Sequence, residues 1–182
     1  MIPRYQSKER EQLNDQQLNV ARDICSGKRG ELPAPMQAWL ETPLFAAYAS
    51  RLGEHLRYTE EMPRHLSELA ILCVANFWGS QYELNIHEQC AREAGIKDQT
   101  IQALRQGLEP EFVDMSQRAI YFFCQEVLFT KKVSEENYQK TILAVGSRGM
   151  NHLIGILGYY TLISITLNVY QIPANAKSIN ID

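Results

Sequence analysis

The sequence predicts an all-α protein, on three observations. Apolar residues recur at intervals of three and four along successive stretches, and prolines stand at helix starts, at Thr42-Pro43 and at Pro63. Gly95 and Gly107 fall where periodic segments stop. No stretch reads as a sheet.

Taken in order, residues 5–26 read as a polar, Gln-rich helix whose few apolar positions, Leu13, Leu18, Val20, Ala21 and Ile24, predict light packing, including against a neighbouring subunit. Residues 27–35, rich in Gly, Pro and charge, read as a linker. A short apolar run, Met36 to Leu40, precedes a helix that opens with Thr42 as cap and Pro43 at its first position. That helix carries Leu44, Phe45, Ala47, Tyr48 and Leu52 to about Leu56. Pro63 opens the next helix in the same way. Trp78-Gly79 breaks it, Ser80 restarts a helix over 80–95, and Gly95 ends that one. A short helix follows from Asp98 to Arg105, then one beginning after Asp114 or Ser116, then one capped by Ser134 and running through Val145. Gly146-Ser-Arg-Gly149 is a helix-helix turn, too short and generic for a phosphate loop.

From Met150 through Ala176 there is no Lys, Arg, Asp or Glu, a length that could span a bilayer. Gly158-Tyr-Tyr-Thr161, Ser164, Thr166 and Asn168 in its middle would be costly in hydrocarbon. No membrane span is expected. The segment reads as a helix buried on nearly all sides, at the domain centre or partly against another subunit, with Gly155 and Gly158 permitting close approach.

Composition narrows the function classes. The 182 residues are long enough to bury a real core, and 45% hydrophobic with 21% charged residues is ordinary for a globular protein. A net charge of −3, a pI near 5.8 and the lack of any basic cluster beyond Lys28-Arg29 and Lys131-Lys132 argue against nucleic-acid binding. Cys25, Cys73, Cys90 and Cys124 are widely spaced, with no Cys-x-x-Cys and no zinc-ligand spacing. Three of them lie in apolar helical patterns that suit buried thiols, and the N-terminus lacks the apolar core of a signal peptide. A cytoplasmic protein is expected.

Chemistry concentrates in Trp78-Gly-Ser-Gln-Tyr-Glu-Leu-Asn-Ile-His87, read with Glu68. On a helix over 80–95, Ser80, Glu83, His87, Cys90, Ala91 and Ala94 share one face, and Gln81, Asn85, Glu88, Gln89, Arg92 and Glu93 take the other. Over 63–77, one apolar stripe holds Leu66, Leu69, Ala70, Cys73, Val74 and Phe77. Glu68 heads a second stripe of Ile71, Leu72 and Ala75. An acid or base on an apolar face must be paired, so the two helices predict one shared site. Structural readings compete with this one: Ser80-x-x-Glu83 is also a capping box, His87 alone could be a satisfied core residue, and Glu68 alone a snorkelling carboxylate.

A wider set of residues carries a resemblance. Ala38-Trp39-Leu40-Glu-Thr-Pro43, Pro63 with Glu68-Leu-Ala-Ile-Leu72, Trp78-Gly-Ser-Gln-Tyr-Glu83 with His87 and Ala91, Ala94-Gly95, and Leu157-Gly-Tyr-Tyr160 with Leu167-Asn168 resemble the carboxymuconolactone decarboxylase family, over about residues 33–173. The resemblance implies the AhpD-like helical fold, with residues 1–30 as an N-terminal helical extension and 31–182 as a single domain. It also implies trimers or hexamers. In the redox-active branch a glutamate precedes Cys-x-x-Cys and a histidine; here Ser80 and Glu83 stand at the cysteine positions, Glu68 at the glutamate and His87 at the histidine. No internal disulfide cycle is available at that motif.

What the resemblance then implies is cofactor-independent, metal-free carboxy-lyase-like chemistry on a small carboxylated lactone or related acid. His87 would be proton donor and acceptor, Glu68 would orient it, and Glu83 would serve as second acid-base group. Ser80, Tyr82, Trp78 and Tyr159 would line the substrate pocket, with Arg64 the nearest cation for a substrate carboxylate. Alternatives are a thiol oxidoreductase or peroxidase relative using a lone thiol such as Cys90, a metal site of Glu68, Glu83 and His87, and a non-catalytic oligomeric binding protein.

Overall fold

The computed structural model describes residues 4–181 and is all-helical; among them the one β-type pairing is an isolated antiparallel bridge between Leu32 and Ile179. The chain forms two compact units, Met1–Tyr58 with Ile165–Asp182, and Thr59–Ser164. The division does not fall at residue 30 as expected from the sequence. The reason is that the N-terminal helix packs against another helix of its own unit.

In the first unit a short 3₁₀ turn, Arg10–Gln12, precedes α1 (Asp15–Ser26), so the helix expected from residue 5 starts ten residues later. Asn14 sets that start, its side chain accepting from the Gln17 backbone N–H while Gln17 reaches back to the Asn14 N–H. α1 is not lightly packed. Gln17, Ala21, Ile24 and Cys25 are buried, and α1 lies against α3 (Pro43–Tyr58).

The expected linker is ordered by backbone pairing of Leu32 with Ile179, and its last residues already belong to α2 (Ala34–Trp39). Gln37 donates to the carbonyls of Leu32 and Lys177, and Trp39 Nε1 donates to Thr166 Oγ1 at 2.9 Å. α3 turns its small residues inward. Ala46, Ala49, Ser50 and Gly53 are buried, with Leu56, whereas Leu44 and Tyr48 are 62% and 69% exposed. The larger apolar residues therefore mark the outer face of α3, not its core face.

The second unit is built round α4 (Arg64–Phe77), whose residues Leu66 and Glu68 through Ala75 are all buried. Pro63 lies one position before the first helical residue. α4 packs against α5 (Gln81–Glu93), α6 (Asp98–Arg105) and α7 (Met115–Gln125), the last continued by a π turn, Glu126–Thr130. Both predicted stripes of α4 meet neighbours, so this helix takes the central position expected for the uncharged one.

The last helix, α8 (Glu135–Tyr170), is interrupted at Gly146 (φ 68°, ψ −179°). Ser134 caps its start by accepting from the Asn137 N–H. Past the break, Arg148 forms two hydrogen bonds to the Glu61 carboxylate at 2.7 and 2.8 Å. α8 is long and apolar enough to cross a bilayer by length and composition, and half of its most apolar stretch is buried within the protein. Leu153, Ile156, Leu157, Tyr160 and Ile163 form a buried face. Asn151, Ile154, Gly158, Ile165 and Asn168 are exposed, so the helix is amphipathic rather than enclosed. Gly158 makes no close approach, since a Cβ there would meet nothing within 4 Å.

Gly146 occupies a backbone region that only glycine adopts readily, at a cost of about 1–3 kcal/mol for other residues. A Cβ at that position has open space around it, so the penalty is conformational and not steric. Gly146→Ala is expected to lose about 1–3 kcal/mol in urea denaturation. An unchanged midpoint would contradict the break in α8.

Candidate active site

Three ionisable side chains of the second unit converge in its interior. Glu68, on the second stripe of α4, places Oε2 2.7 Å from His87 Nδ1. Glu83, one turn before His87 on α5, places Oε2 3.4 Å from Nε2. All three residues are at most 5% exposed. The i, i+4 spacing on α5 creates one contact and the packing of α5 on α4 creates the other.

An ionised carboxylate can only accept, and each ring nitrogen of His87 faces a carboxylate. The doubly protonated imidazolium is the form that donates to both. Burial pushes the His87 pKa down, and it is the largest single influence. Hydrogen bonds and charges from Glu68 and Glu83 together outweigh it, so the imidazole titrates above its ordinary value of 6.5. Among the described residues neither Glu68 nor Glu83 has a Lys or Arg partner. The proton on His87 is thus the positive charge that holds the cluster together.

The capping-box reading fails here. Ser80 stands at the N-cap position of α5, but its side chain makes no cap bond, and its buried Oγ has no hydrogen-bond partner. Glu83 turns inward to His87 instead of back to Ser80. Tyr82 and Tyr159 are buried, while Trp78 is half-buried with Nε1 donating to Thr161 Oγ1 at 3.3 Å. Arg64 lies outside the cluster, exposed and paired with Glu93 at 3.2 Å, because a first-turn side chain on α4 reaches solvent. Glu88, assigned to the outer face from spacing, is buried and ion-paired with Arg105.

One neighbour of the imidazole was not picked out for the site by sequence spacing, and one residue of the predicted face takes a definite place beside it. The ring of Tyr160, neighbour of the expected Tyr159, stands perpendicular to the His87 ring with centroids 5.0 Å apart. Cys90, on the predicted face one turn past His87, brings its sulfur within 4.8 Å of ligand atoms of both Glu68 and His87, and it is the partly exposed member. Cys73 and Cys124, far apart in sequence, meet between α4 and α7. A hydrogen bond from Cys73, then burial, pushes the Cys124 thiol well above the ordinary thiol range. That thiol is poorly suited to act as a nucleophile.

Two measurements probe this arrangement. A working N-cap serine contributes about 1 kcal/mol, whereas a buried hydroxyl without a partner carries a desolvation penalty. Ser80→Ala is therefore expected to be neutral or stabilising in thermal denaturation, and a loss near 1 kcal/mol would restore the capping role. For His87, the folded pKa is raised, so its contribution to stability is complete below the ordinary value of 6.5 and is lost as pH rises through the folded value. The denaturation midpoint of the native protein, relative to His87→Gln, should accordingly fall as the solution is made alkaline. A difference independent of pH would contradict the carboxylate clamp.

No protein-family model and no curated protein matches the chain. Solved structures do. A protein of unknown function from Agrobacterium tumefaciens, a candidate antioxidant defence protein AhpD, superposes with a TM-score of 0.67 at 10% identity, covering 77% of this chain and 97% of its own. The debrominase Bmp8, as a cysteine-to-alanine variant in complex with 2,3,4-tribromopyrrole, gives 0.70 at 13% identity over 89% of this chain and 87% of its own. Bmp8 without ligand gives 0.65 at 11% identity over 86% and 83%. At such identities the likeness is one of architecture, and on it the chain has the AhpD-like all-helical fold.

Proposed function

We propose that the chain is a cofactor-independent acid-base enzyme of the carboxymuconolactone decarboxylase type, acting on a small carboxylated lactone or related acid. The observation that carries this reading is the buried imidazole clamped at both nitrogens by carboxylates. Glu68, at 2.7 Å, fixes ring orientation and holds the proton on Nδ1. The proton on Nε2 is held more loosely, across 3.4 Å, and is the one available for transfer. When a substrate carbanion or enolate takes the place of Glu83 as partner of Nε2, it receives that proton. Loss of carbon dioxide leaves the electron pair that the proton quenches, so the reaction balances without an external oxidant or reductant.

Two further points support a small ring substrate. The fold is shared with a debrominase that binds 2,3,4-tribromopyrrole, so it accommodates a compact cyclic ligand. Tyr160 sets an aromatic wall beside the imidazole. The thiol-disulfide alternative has less support, since the adjacent cysteines, Cys73 and Cys124, are both buried and the Cys124 thiol is held protonated.

The test is incubation of the protein and its His87→Gln variant with 4-carboxymuconolactone, followed by proton NMR. Turnover by the native protein, reduced about 10²–10⁴-fold in the variant, is the expected result. Equal turnover by both would overturn the assignment of His87, and no turnover by the native protein would discard this substrate.

A further inference from the structure

We propose that Glu68, His87 and Cys90 form a binding site for a borderline-soft divalent cation of the zinc class, through one carboxylate oxygen, one imidazole nitrogen and one thiolate sulfur. Their ligand atoms all lie within 4.8 Å of one another. Zinc takes nitrogen and oxygen ligands at about 2.0–2.2 Å and thiolate at about 2.3 Å, so tetrahedral ligands stand about 3.5 Å apart. Glu68 Oε2 and His87 Nδ1, 2.7 Å apart, would have to separate to admit an ion, and the sulfur of Cys90, within 4.8 Å of ligand atoms of both, would complete the set. Two ligands are buried and Cys90 is partly exposed, so the site would be entered from the Cys90 side.

The donor set selects the metal class. Calcium and magnesium want oxygen ligands, and a thiolate with an imidazole disfavours both. Three protein ligands also leave a fourth position for water, the pattern of an open zinc site. His87 Nδ1, turned to Glu68, is the ligating nitrogen, which leaves the Nε2 proton for Glu83. A carboxylate on the far nitrogen of a ligating histidine is the usual supporting partner in zinc sites.

The charge balance favours exchange. With His87 protonated and Cys90 a thiol, the three groups sum to zero. Binding a divalent cation releases one proton from His87 and one from Cys90, and the sum is again zero. The ion adds no net charge to the buried cluster, which avoids the cost of an isolated buried charge. The metal site does not rest on the acid-base reading and competes with it, since a metal on Nδ1 displaces a proton that the reading requires. Its test accordingly reads metal binding and not turnover.

The full chain, stripped of metal by chelation, would be titrated with cobalt(II), whose thiolate complexes absorb by charge transfer in the near ultraviolet. One ion per chain, a charge-transfer band displaced by zinc, and loss of that band in Cys90→Ser are the expected results. No band in the native protein would overturn the proposal. So would a band that survives in Cys90→Ser, because the sulfur would then come from another cysteine. Should the variant fold poorly, alkylation of the native protein gives the same decision. Zinc is expected to protect Cys90 from iodoacetamide, mapped by peptide mass spectrometry, and equal labelling with and without zinc would overturn the site. Native protein that turns over the lactone without a cobalt band would sink this inference alone.

Discussion

Two carboxylates and one imidazole, each at most 5% exposed, set the constraint on which the second unit depends. Neither Glu68 nor Glu83 has a Lys or Arg partner among the described residues, so the proton on His87 is what makes their joint burial tolerable. Breaking a buried pair of this kind costs about 3–5 kcal/mol, mostly as the penalty of the charge left behind. The helices that supply the cluster must therefore meet in one register. A rotation of α5 by one residue would carry both Glu83 and His87 away from Glu68.

The packing of α4 follows from that requirement. α4 brings a carboxylate into an otherwise apolar helix, and its burial on both stripes positions Glu68 beside α5. Tyr160, from the part of α8 beyond the Gly146 break, places its ring against the imidazole. Arg148 and Glu61 pin the chain just after the break, where a continuous helix would have carried on in one direction. Elsewhere in the unit, buried charge is handled in the ordinary way. Glu88 meets Arg105 and Arg92, and no proton needs to be stored there.

The two proposals compete for one nitrogen of this cluster. As a protonated imidazole between carboxylates, His87 would be the proton donor of the proposed decarboxylation. As a neutral imidazole beside a thiolate, it would be a ligand of the proposed metal site, with Glu83 as the supporting carboxylate. On the proposed metal site, which of the two occupies Nδ1 would depend on metal availability and pH, since metal binding releases protons.

The sequence by itself determined the all-α class, the start of α3 at Pro43, the ends marked by Gly95 and Gly107, and the face that Glu83, His87 and Cys90 share. These depend on local rules: proline and glycine act within a turn, and helical periodicity fixes which residues lie together. Glu68 was also legible, because a carboxylate on an apolar stripe demands a partner. The tertiary structure decided what local rules cannot see. Whether Ser80 caps α5 depended on Glu83 having a better partner in His87, whose position α4 reinforces. Which face of α3 is buried was not legible either, because hydrophobicity does not reveal that α3 packs against α1 and α2 with its small residues turned inward and Leu44 and Tyr48 outward. Tyr160 rather than Tyr159 met the imidazole because neighbouring residues on α8 differ by about 100° in direction, and only packing fixes that angle. The meeting of Cys73 with Cys124 has the same cause: contacts between distant segments are made by packing, and spacing carries no record of them.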